Sequence, residues 1–336
     1  MANDDPTPGG QGDQFDQLGG EEGSGFVPPS EETTDALLGA VGFDERAADF
    51  SGMIDLGDRY LGMRTADAGE KLKIARAVER YGDVGADCVA HAVNDLLSDG
   101  LTPVAFITYF GVKERDEAVA GEVATGIAEG AEQAGILLFG GRMGVKPDVL
   151  TGVDLVGTAA GVGNPSDVYS GEAAEGDRLV GFPSSGIHSA GLETARSVLL
   201  EEYEYADTVP GADTETIADR LLRPTRLYTY LTDHLRDSIV HAAVQITDGG
   251  FQSLSQMGEY RYSITDPLEP QPVFDLIQDT GDLDTETMYR TFTMGTGFVV
   301  AVPESAANEL VSETDGEIVG IVERGSGIAI RGLEIE

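Results

Sequence analysis

The chain of 336 residues is strongly acidic, with 60 aspartates and glutamates against 21 lysines and arginines and a formal net charge of −39. This balance excludes nucleic acid as a partner, because binding to a phosphate backbone depends on lysine and arginine patches. Surface carboxylates repel one another less at molar salt, where charges are screened over about 3 Å, so we expect a halophilic cytoplasm. The length and the 41% hydrophobic content are sufficient for two domains with packed cores.

Cys88 is the only cysteine of the sequence, which excludes an internal disulfide and a zinc site built from several cysteines. The sequence shows neither a signal-peptide pattern nor an apolar run of transmembrane length, so we expect a soluble, intracellular protein without a membrane partner. Cys88 falls on a predicted helix and is expected to be a small core side chain.

The N-terminal residues 1–34 are rich in Gly, Pro, Asp, Glu and Ser and lack apolar periodicity, which predicts an acidic disordered tail. After this tail strands and helices alternate, which predicts an α/β (α+β) fold. A polar, glycine-rich joint at 163–177 divides the pattern. We therefore expect an N-terminal domain over 35–163 and a C-terminal domain over 172–336.

The apolar patterns predict the elements of each domain. In the N-terminal domain they are a strand at 59–65, helices at 70–80 and 86–98, a strand at 103–110, a helix at 116–134, and strands at 136–141 and 154–162. In the C-terminal domain they are a strand at 178–183, helices at 191–202 and 216–236, and strands near 242–247, 260–265, 291–302, 317–323 and 327–332.

The turn at 64–71, between the first predicted strand and helix, has part of the features of a phosphate-binding loop. Such a loop needs small residues where the backbone meets phosphate, an acidic group for Mg²⁺ and a positive charge at the helix start. Gly69, Asp67 and Lys71 supply one of each. For Lys71, a phosphate contact and a solvated lysine at a helix start are both open.

The predicted helix 86–98 has one apolar face and one polar face. Asp87, His91, Asn94 and Asp95 lie within about one quadrant of the polar face, because positions four and seven or eight apart stack on a helix. Asp87, His91 and Asp95 have a spacing that permits a metal site. The alternative is an exposed or interfacial polar stripe.

Several segments keep their order and spacing over nearly 300 residues. They are 69–75 (GEKLKIA), 93–96 (VNDL), 126–130 (GIAEG), 184–189 (SSGIHS), 222–226 (LRPTR) and 288–292 (MYRTF). Together they resemble the phosphoribosylformylglycinamidine cyclo-ligase family, also called aminoimidazole ribonucleotide (AIR) synthetase, of purine biosynthesis. The likeness extends from about residue 42 to the C-terminus.

The resemblance implies an N-terminal domain that binds ATP and whose sheet pairs across a homodimer into a β-barrel. It implies a C-terminal α/β domain that completes the cleft. The implied reaction is the closure of the imidazole ring of formylglycinamidine ribonucleotide, driven by ATP with Mg²⁺. Such chemistry depends on positioning and on neutralising the charge of the transferring phosphoryl group.

The resemblance also implies the residues of the site. The nucleotide contacts would be Asp67, Gly69, Lys71, Asn94 and Asp95, with Asp67 and Asp95 as the metal ligands. The substrate contacts would be Ser185, Gly186, Ser189, Asp248 and Gly249. His188 would be the catalytic residue, and the alternative for it is a structural histidine that is hydrogen-bonded within its own turn.

Two motifs depart from the family pattern. The metal loop, Thr-Asp-Gly-Val-Gly-Thr-Lys in the family, corresponds to residues 65–71, where the acidic residue has moved by one position to Asp67. The family's Gly-Gly-Glu-Thr-Ala-Glu-Met-Pro corresponds to residues 140–147, where Arg142 and Met143 replace a carboxylate and a hydroxyl. Arg142 would either oppose a divalent ion or pair with Asp67 or Asp95 as a replacement cation.

These departures leave two hypotheses for the function. The first is an active ATP-dependent cyclo-ligase with altered metal and ATP motifs, acting on a small-molecule nucleotide. The second is a non-catalytic paralogue that keeps the fold and acts as a dimer partner or regulator, for example as a heterodimer with a complete family member.

Overall fold

The computed structural model describes residues 53–335, so the predicted tail at 1–34 and the start of the predicted N-terminal domain lie outside the described residues. Within 53–335 the chain forms two α/β domains, each built on one sheet. The predicted fold class is confirmed. In this part of the chain, none of the helices is both long and apolar enough to cross a membrane.

The first domain has, within the described residues, a mixed sheet of five strands in the order β1-β2-β5-β3-β4. Its strands are β1 (Ile54–Asp55), β2 (Tyr60–Asp67), β3 (Thr102–Val112), β4 (Leu137–Val145) and β5 (Val153–Gly163). Its helices are α1 (Lys71–Val78), α2 (Gly82–Ser98) and α3 (Glu117–Ala134). Helix α2 packs on β2 and β5 and is buried along most of its length, and Cys88 lies in this core as predicted.

Helices α2 and α3 pack closely because glycines remove side chains from their contact. A Cβ atom on Gly126 of α3 would lie 1.8 Å from the carbonyl oxygen of Gly82, at the start of α2. In the reverse direction, a Cβ atom on Gly85 would lie 2.4 Å from the carbonyl oxygen of Val123. The position of α2 relative to the sheet therefore depends on these small residues.

Gly126→Ala is expected to lower the free energy of unfolding by about 1–3 kcal/mol or more, because the added methyl group overlaps the backbone of α2 and forces the helices apart. Gly121→Ala is the matched control, since Gly121 is exposed on the same helix with nothing within 4 Å of its Cβ position. There alanine should stabilise the helix by up to about 1 kcal/mol. Thermal unfolding compares the two variants, and an unchanged Tm for Gly126→Ala would contradict the close packing.

The second domain has, within the described residues, a sheet of seven strands in the order β12-β11-β8-β10-β6-β9-β7. Its strands are β6 (Arg178–Pro183), β7 (Ala242–Gln245), β8 (Arg261–Ile264), β9 (Thr296–Val302), β10 (Glu317–Glu323), β11 (Gly327–Ile330) and β12 (Leu333–Ile335). Its helices are α4 (Leu192–Leu199), α5 (Ile217–Leu222), α6 (Thr232–Asp237), α7 (Pro272–Gly281), α8 (Thr285–Thr291) and α9 (Glu304–Glu313). Every residue of β9 is buried, which explains its unbroken apolar run.

The prediction of one helix over 216–236 is wrong. The segment consists of α5, a 3₁₀ turn at Thr229–Leu231 and α6. The chain leaves the helix at Arg223, whose backbone is extended (φ −50°, ψ 124°). Pro224 causes this, because proline lacks the N–H for a helical hydrogen bond and disfavours helical backbone in the residue before it.

Other boundaries also differ from the prediction in the second domain. Helices α7, α8 and α9 were not predicted, and α8 occupies the start of the strand predicted at 291–302, so β9 begins at Thr296. The strand predicted at 327–332 corresponds to β11, which ends at Ile330, and β12 follows it as a further strand that was not predicted. A turn separates them at Arg331 and Gly332, which have left-handed backbone with φ of 50° and 85°.

The outer face of the first sheet is apolar, and none of the elements within residues 53–335 covers it. Strand β4 is exposed along almost its entire length, and the exposed fractions of Phe139 and Leu137 are 80% and 72%. The large apolar side chains exposed on this sheet are Met63, Val104, Ile107, Leu137, Leu138, Phe139, Met143 and Val145. Exposed apolar patches of this extent mark interaction surfaces.

Candidate active site

A cleft of about 860 Å³ lies between the two domains. The first domain contributes residues 65–71, which run from the end of β2 to the start of α1, together with Val156 of β5 and Asp87 and His91 of α2. From the second domain, the start of α4, the turn after β7 and the end of α8 contribute Ser189, 191–194, 247–249, Gln252, Thr287, Arg290 and Thr291. A cleft of this size accommodates a small-molecule ligand.

Lys71 forms a buried ion pair at the floor of the cleft. Its side chain is 1% exposed, and Nζ lies 2.5 Å from Oδ1 of Asp87. The same ammonium group donates a hydrogen bond of 2.8 Å to the carbonyl oxygen of Arg223, in the second domain. The interpretation of Lys71 as a solvated lysine is thus wrong. Its interpretation as a phosphate contact is weakened, because two of the three N–H donors of the ammonium group are directed to protein atoms.

Asp87 completes this contact between the domains. Its Oδ1 also accepts a hydrogen bond of 2.7 Å from the N–H of Thr225. Burial acts to raise the pKa of Asp87, but the charges of Lys71 and His91 outweigh burial and hold the pKa at about 2. The carboxylate is therefore ionised at neutral pH and is committed to the ion pair.

Asn94, about two turns further along α2 than Asp87, forms a second contact between the domains. Its side-chain amide donates to the carbonyl oxygen of Arg226 at 2.8 Å, and its Oδ1 accepts from the N–H of Tyr228 at 3.1 Å. Asn94 is fully buried and lies outside the cleft lining. The structure therefore supports the interfacial alternative for this polar stripe, and it does not bring Asn94 to the predicted nucleotide contact.

The two predicted metal ligands are not brought together. Asp67 lines the cleft and is exposed, whereas Asp95 is absent from the lining. Burial raises the pKa of Asp95, against the charges of His91 and Arg64, which lower it. Within residues 53–335 no group of three His, Cys, Asp or Glu side chains is arranged to hold a metal, so the alternative of a three-ligand site on α2 fails.

His188 is buried behind the cleft wall in a left-handed backbone conformation with φ of 62°. Its Nε2 accepts hydrogen bonds from the N–H of Ser185 at 2.9 Å and from the N–H of Arg226 at 3.3 Å. Burial, together with the charge of Lys71, lowers the pKa of His188 to about 3. The imidazole is therefore neutral and holds its own turn to the second domain's Pro224 segment, which favours the structural alternative.

Three of the predicted substrate contacts, Ser189, Asp248 and Gly249, line the cleft. The other two do not, because the hydroxyl of Ser185 donates to the carbonyl oxygen of Pro224 at 2.7 Å and the carbonyl of Gly186 accepts from a buried threonine. The predicted nucleotide contact Gly69 also lies in the lining.

Asp248 is a carboxylate of the cleft whose pKa is raised above that of an ordinary aspartate. Burial raises its pKa, His91 and the N–H of Gly191 lower it, and the charge of Asp67 raises it. The negative charges of Asp67 and Asp248 thus repel each other across the cleft, although the two residues come from different domains.

Glu70 is a residue of the site that the sequence patterns did not indicate. Its buried carboxylate accepts a hydrogen bond of 2.7 Å from Nε of Arg196, on α4, and lies 2.6 Å from Nζ of Lys73. It thereby ties the start of α1 to the second domain beside the cleft. Its only signal in the sequence was an acidic residue at a helix start, which is common.

Arg142 lies on the exposed strand β4 and is outside the cleft lining of the protomer. Among the described residues it forms no ion pair with Asp67 or Asp95. Within one chain, Arg142 therefore does not pair with either aspartate as the substitute for a metal ion that the sequence suggested.

Comparisons with known proteins agree with this architecture. Residues 48–163 match the family described as "AIR synthase related protein, N-terminal domain", and residues 174–332 match "AIR synthase related protein, C-terminal domain". The phosphoribosylformylglycinamidine cyclo-ligase of Methanosarcina acetivorans is 39% identical over 290 residues, which cover 85% of this chain and 86% of that protein.

Two solved structures share the fold. AaThiL complexed with AMPPCP and TMP has a TM-score of 0.67 at 16% identity, covering 93% of this chain and 97% of that one. T. maritima PurL complexed with ADP has a TM-score of 0.59 at 15% identity, covering 85% of this chain and 44% of that one. From the sequence relatives and both matched domains, the chain belongs to the phosphoribosylformylglycinamidine cyclo-ligase (AIR synthase) family.

Proposed function

We propose that the chain catalyses the ATP-dependent ring closure of formylglycinamidine ribonucleotide to aminoimidazole ribonucleotide. The observation that carries the proposal is the identity of 39% to a cyclo-ligase along 85% of the chain. The cleft supports it, because residues of both domains line one space large enough for a nucleotide.

The cleft residues fit Mg²⁺ with ATP. Magnesium usually binds through one or two carboxylates together with substrate phosphates, so it does not need a cage of protein ligands. Asp67 provides such a carboxylate, since it is exposed in the cleft, and it would hold the ion. When bound, Mg²⁺ and ATP supply the transferable phosphoryl group and neutralise its charge.

The chain's own groups position the reactants. The first turn of α4 lines the cleft and presents the positive end of the helix dipole, which favours an anionic substrate. Arg290 adds a guanidinium at the same wall. The interdomain contacts of Lys71, Asp87 and Glu70 hold both walls in place, so that the amide oxygen and the attacking nitrogen of the substrate meet in a fixed geometry.

The test is to purify the chain in molar KCl and to measure Mg²⁺-dependent ATP binding by calorimetry, followed by ADP release with formylglycinamidine ribonucleotide. ATP binding and substrate-dependent ADP release are expected. A folded chain that binds no ATP would overturn the proposal and support the alternative, a non-catalytic partner or regulator of a complete family member.

We also propose that two copies pair through the uncovered face of the first sheet, forming a β-barrel across a homodimer. The apolar side chains of β3 and β4 support this, because a second copy would remove them from water. We propose the same domain limits as the sequence predicted, 35–163 and 172–336. The net charge of −39 further supports a location in a cytoplasm with a high salt concentration.

Ile107→Asp is expected to convert this dimer to monomers in sedimentation velocity, because a carboxylate in the middle of the paired face loses its hydration on association. Ile107 is 46% exposed in the protomer. Ile239→Asp is the control, since Ile239 is an exposed apolar residue of the second domain, away from the sheet. If both variants sediment like the wild type, the pairing face is elsewhere.

A further inference from the structure

His91 is a titratable residue of the cleft to which the arguments above assign no role. It lies on α2 and lines the cleft between the domains, and its side chain is 13% exposed. It therefore reaches the ligand space, in contrast to His188, which is buried behind the wall. The sequence indicated His91 only as a member of a polar stripe.

The two nitrogens of His91 have different surroundings. Nε2 lies 3.1 Å from Oγ1 of Thr225 and 3.7 Å from Oδ2 of Asp87, so this edge of the ring faces the floor of the cleft. Nδ1 makes no hydrogen bond among the described residues, and it is not one of the buried polar atoms that lack a partner there. Since the ring lines the cleft, Nδ1 is the edge that opens to the ligand.

Asp87 decides which nitrogen carries the proton in the neutral ring. Its carboxylate is ionised and fixed by Lys71 and by the N–H of Thr225. A fixed negative charge near Nε2 favours the proton on that nitrogen, with Oγ1 of Thr225 as its hydrogen-bond acceptor at 3.1 Å. Nδ1 is then left with its lone pair directed into the cleft, which is the arrangement of a general base whose other ring nitrogen is held by a hydrogen bond, here to Thr225.

We propose that His91 is a catalytic residue that accepts, on Nδ1, the proton released by the attacking nitrogen during ring closure. The inference rests on the proposed function. In the step, the lone pair of the nitrogen forms the new C–N bond to the carbon activated by phosphorylation. The C–O bond to the phosphoryl group breaks, phosphate leaves with the electron pair, and the N–H proton passes to His91, which later releases it to water.

The charged and titratable groups that act on His91 come from several elements. Asp87 and Asp95 lie on its own helix, Asp248 follows β7, and His188 lies in the turn after β6. His188 is committed through Nε2 to two backbone N–H groups, and Asp87 to its ion pair. His91 therefore remains as the nitrogen base with an open edge at the cleft.

The experiment compares His91→Gln with the wild type in the full-length chain, in molar KCl, using formylglycinamidine ribonucleotide and Mg²⁺-ATP. Glutamine retains a hydrogen-bonding group toward Thr225 but cannot accept the proton. We expect kcat to fall by about 10²–10⁴-fold with KM changed less than about threefold, and the decline of kcat/KM toward acidic pH to disappear. Added imidazole should partly restore kcat in His91→Ala.

Controls separate the possible failures. ATP binding by calorimetry and the Tm report whether each variant is folded, and His234→Gln, at a partly exposed histidine paired with Glu313, should behave as wild type. A folded His91→Gln variant with wild-type kcat and pH profile would overturn the inference alone. A wild-type chain without turnover would overturn the proposed function and this inference with it. If His91→Gln does not fold, His91→Ala is measured without imidazole instead. A folded His91→Ala variant with the turnover and pH profile of the wild type would overturn the inference.

Discussion

Asp87→Ala is expected to lower the free energy of unfolding by about 3–5 kcal/mol, since it leaves the ammonium group of Lys71 buried without its counter-charge. Lys71 is 1% exposed, so water cannot replace the lost partner without opening the interface. The variant also removes the acceptor of the Thr225 N–H, which joins the two domains. Urea denaturation in molar KCl, followed by circular dichroism, measures the change.

Two further variants show whether the effect comes from the uncompensated charge. The double variant Lys71→Met/Asp87→Leu should recover most of the stability, because apolar residues of similar volume often replace a buried ion pair at little cost. Asp233→Ala removes the exposed partner of Arg236 and should change stability by less than about 1 kcal/mol. An Asp87→Ala variant as stable as Asp233→Ala would show that the pair contributes nothing to the fold.

The stability of the protein is expected to fall as the pH is lowered through the range between about 6.5 and 3. His188 has a pKa of about 3 in the folded chain against 6.5 for an ordinary histidine, because burial and the charge of Lys71 disfavour the imidazolium. In this range the unfolded chain binds a proton that the folded chain does not, so acid favours unfolding. The slope from this one group reaches about 1.4 kcal/mol per pH unit.

The contribution of His188 is isolated by comparison with His188→Gln. Glutamine can offer an acceptor to the N–H groups of Ser185 and Arg226 but does not titrate. The difference in unfolding free energy between wild type and variant should therefore shrink from pH 7 to pH 4. Asp87 does not add to the pH dependence of stability between pH 7 and pH 4. Its pKa is about 2, against 3.8 for an ordinary aspartate, so its own contribution changes below pH 4. Parallel slopes for wild type and His188→Gln would contradict the assignment.

The regular elements could be predicted because their signals are local. The apolar period of α2 and the alternating strands of the first sheet depend on neighbours in the sequence, and most of these elements lie within a few residues of their predicted positions. The break in the helix predicted at 216–236 also had a local signal, Pro224. The prediction missed it because it followed the apolar pattern alone.

The roles of single polar residues could not be predicted in the same way. For Lys71, Asn94 and His188 a ligand contact was one of two interpretations, and each side chain is bonded to the main chain of the segment at 223–228. The partner of Lys71 lies 152 residues away and that of Asn94 lies 132 residues away. A backbone carbonyl or N–H has no identity in the sequence, so only the folded chain shows that these side chains are already occupied.

The enclosure of Lys71 makes this chain unusually simple to follow by chemical labelling. The sequence contains four lysines, and Lys73, Lys113 and Lys146 are all exposed. An amine-reactive reagent should therefore modify three side-chain amines rapidly in the native protein. The fourth reacts only when the first and second domains separate locally, because its ammonium group is bonded to Arg223 across the interface. The slow appearance of modified Lys71 in peptide mass spectra would then time the opening of the cleft floor, without any introduced probe.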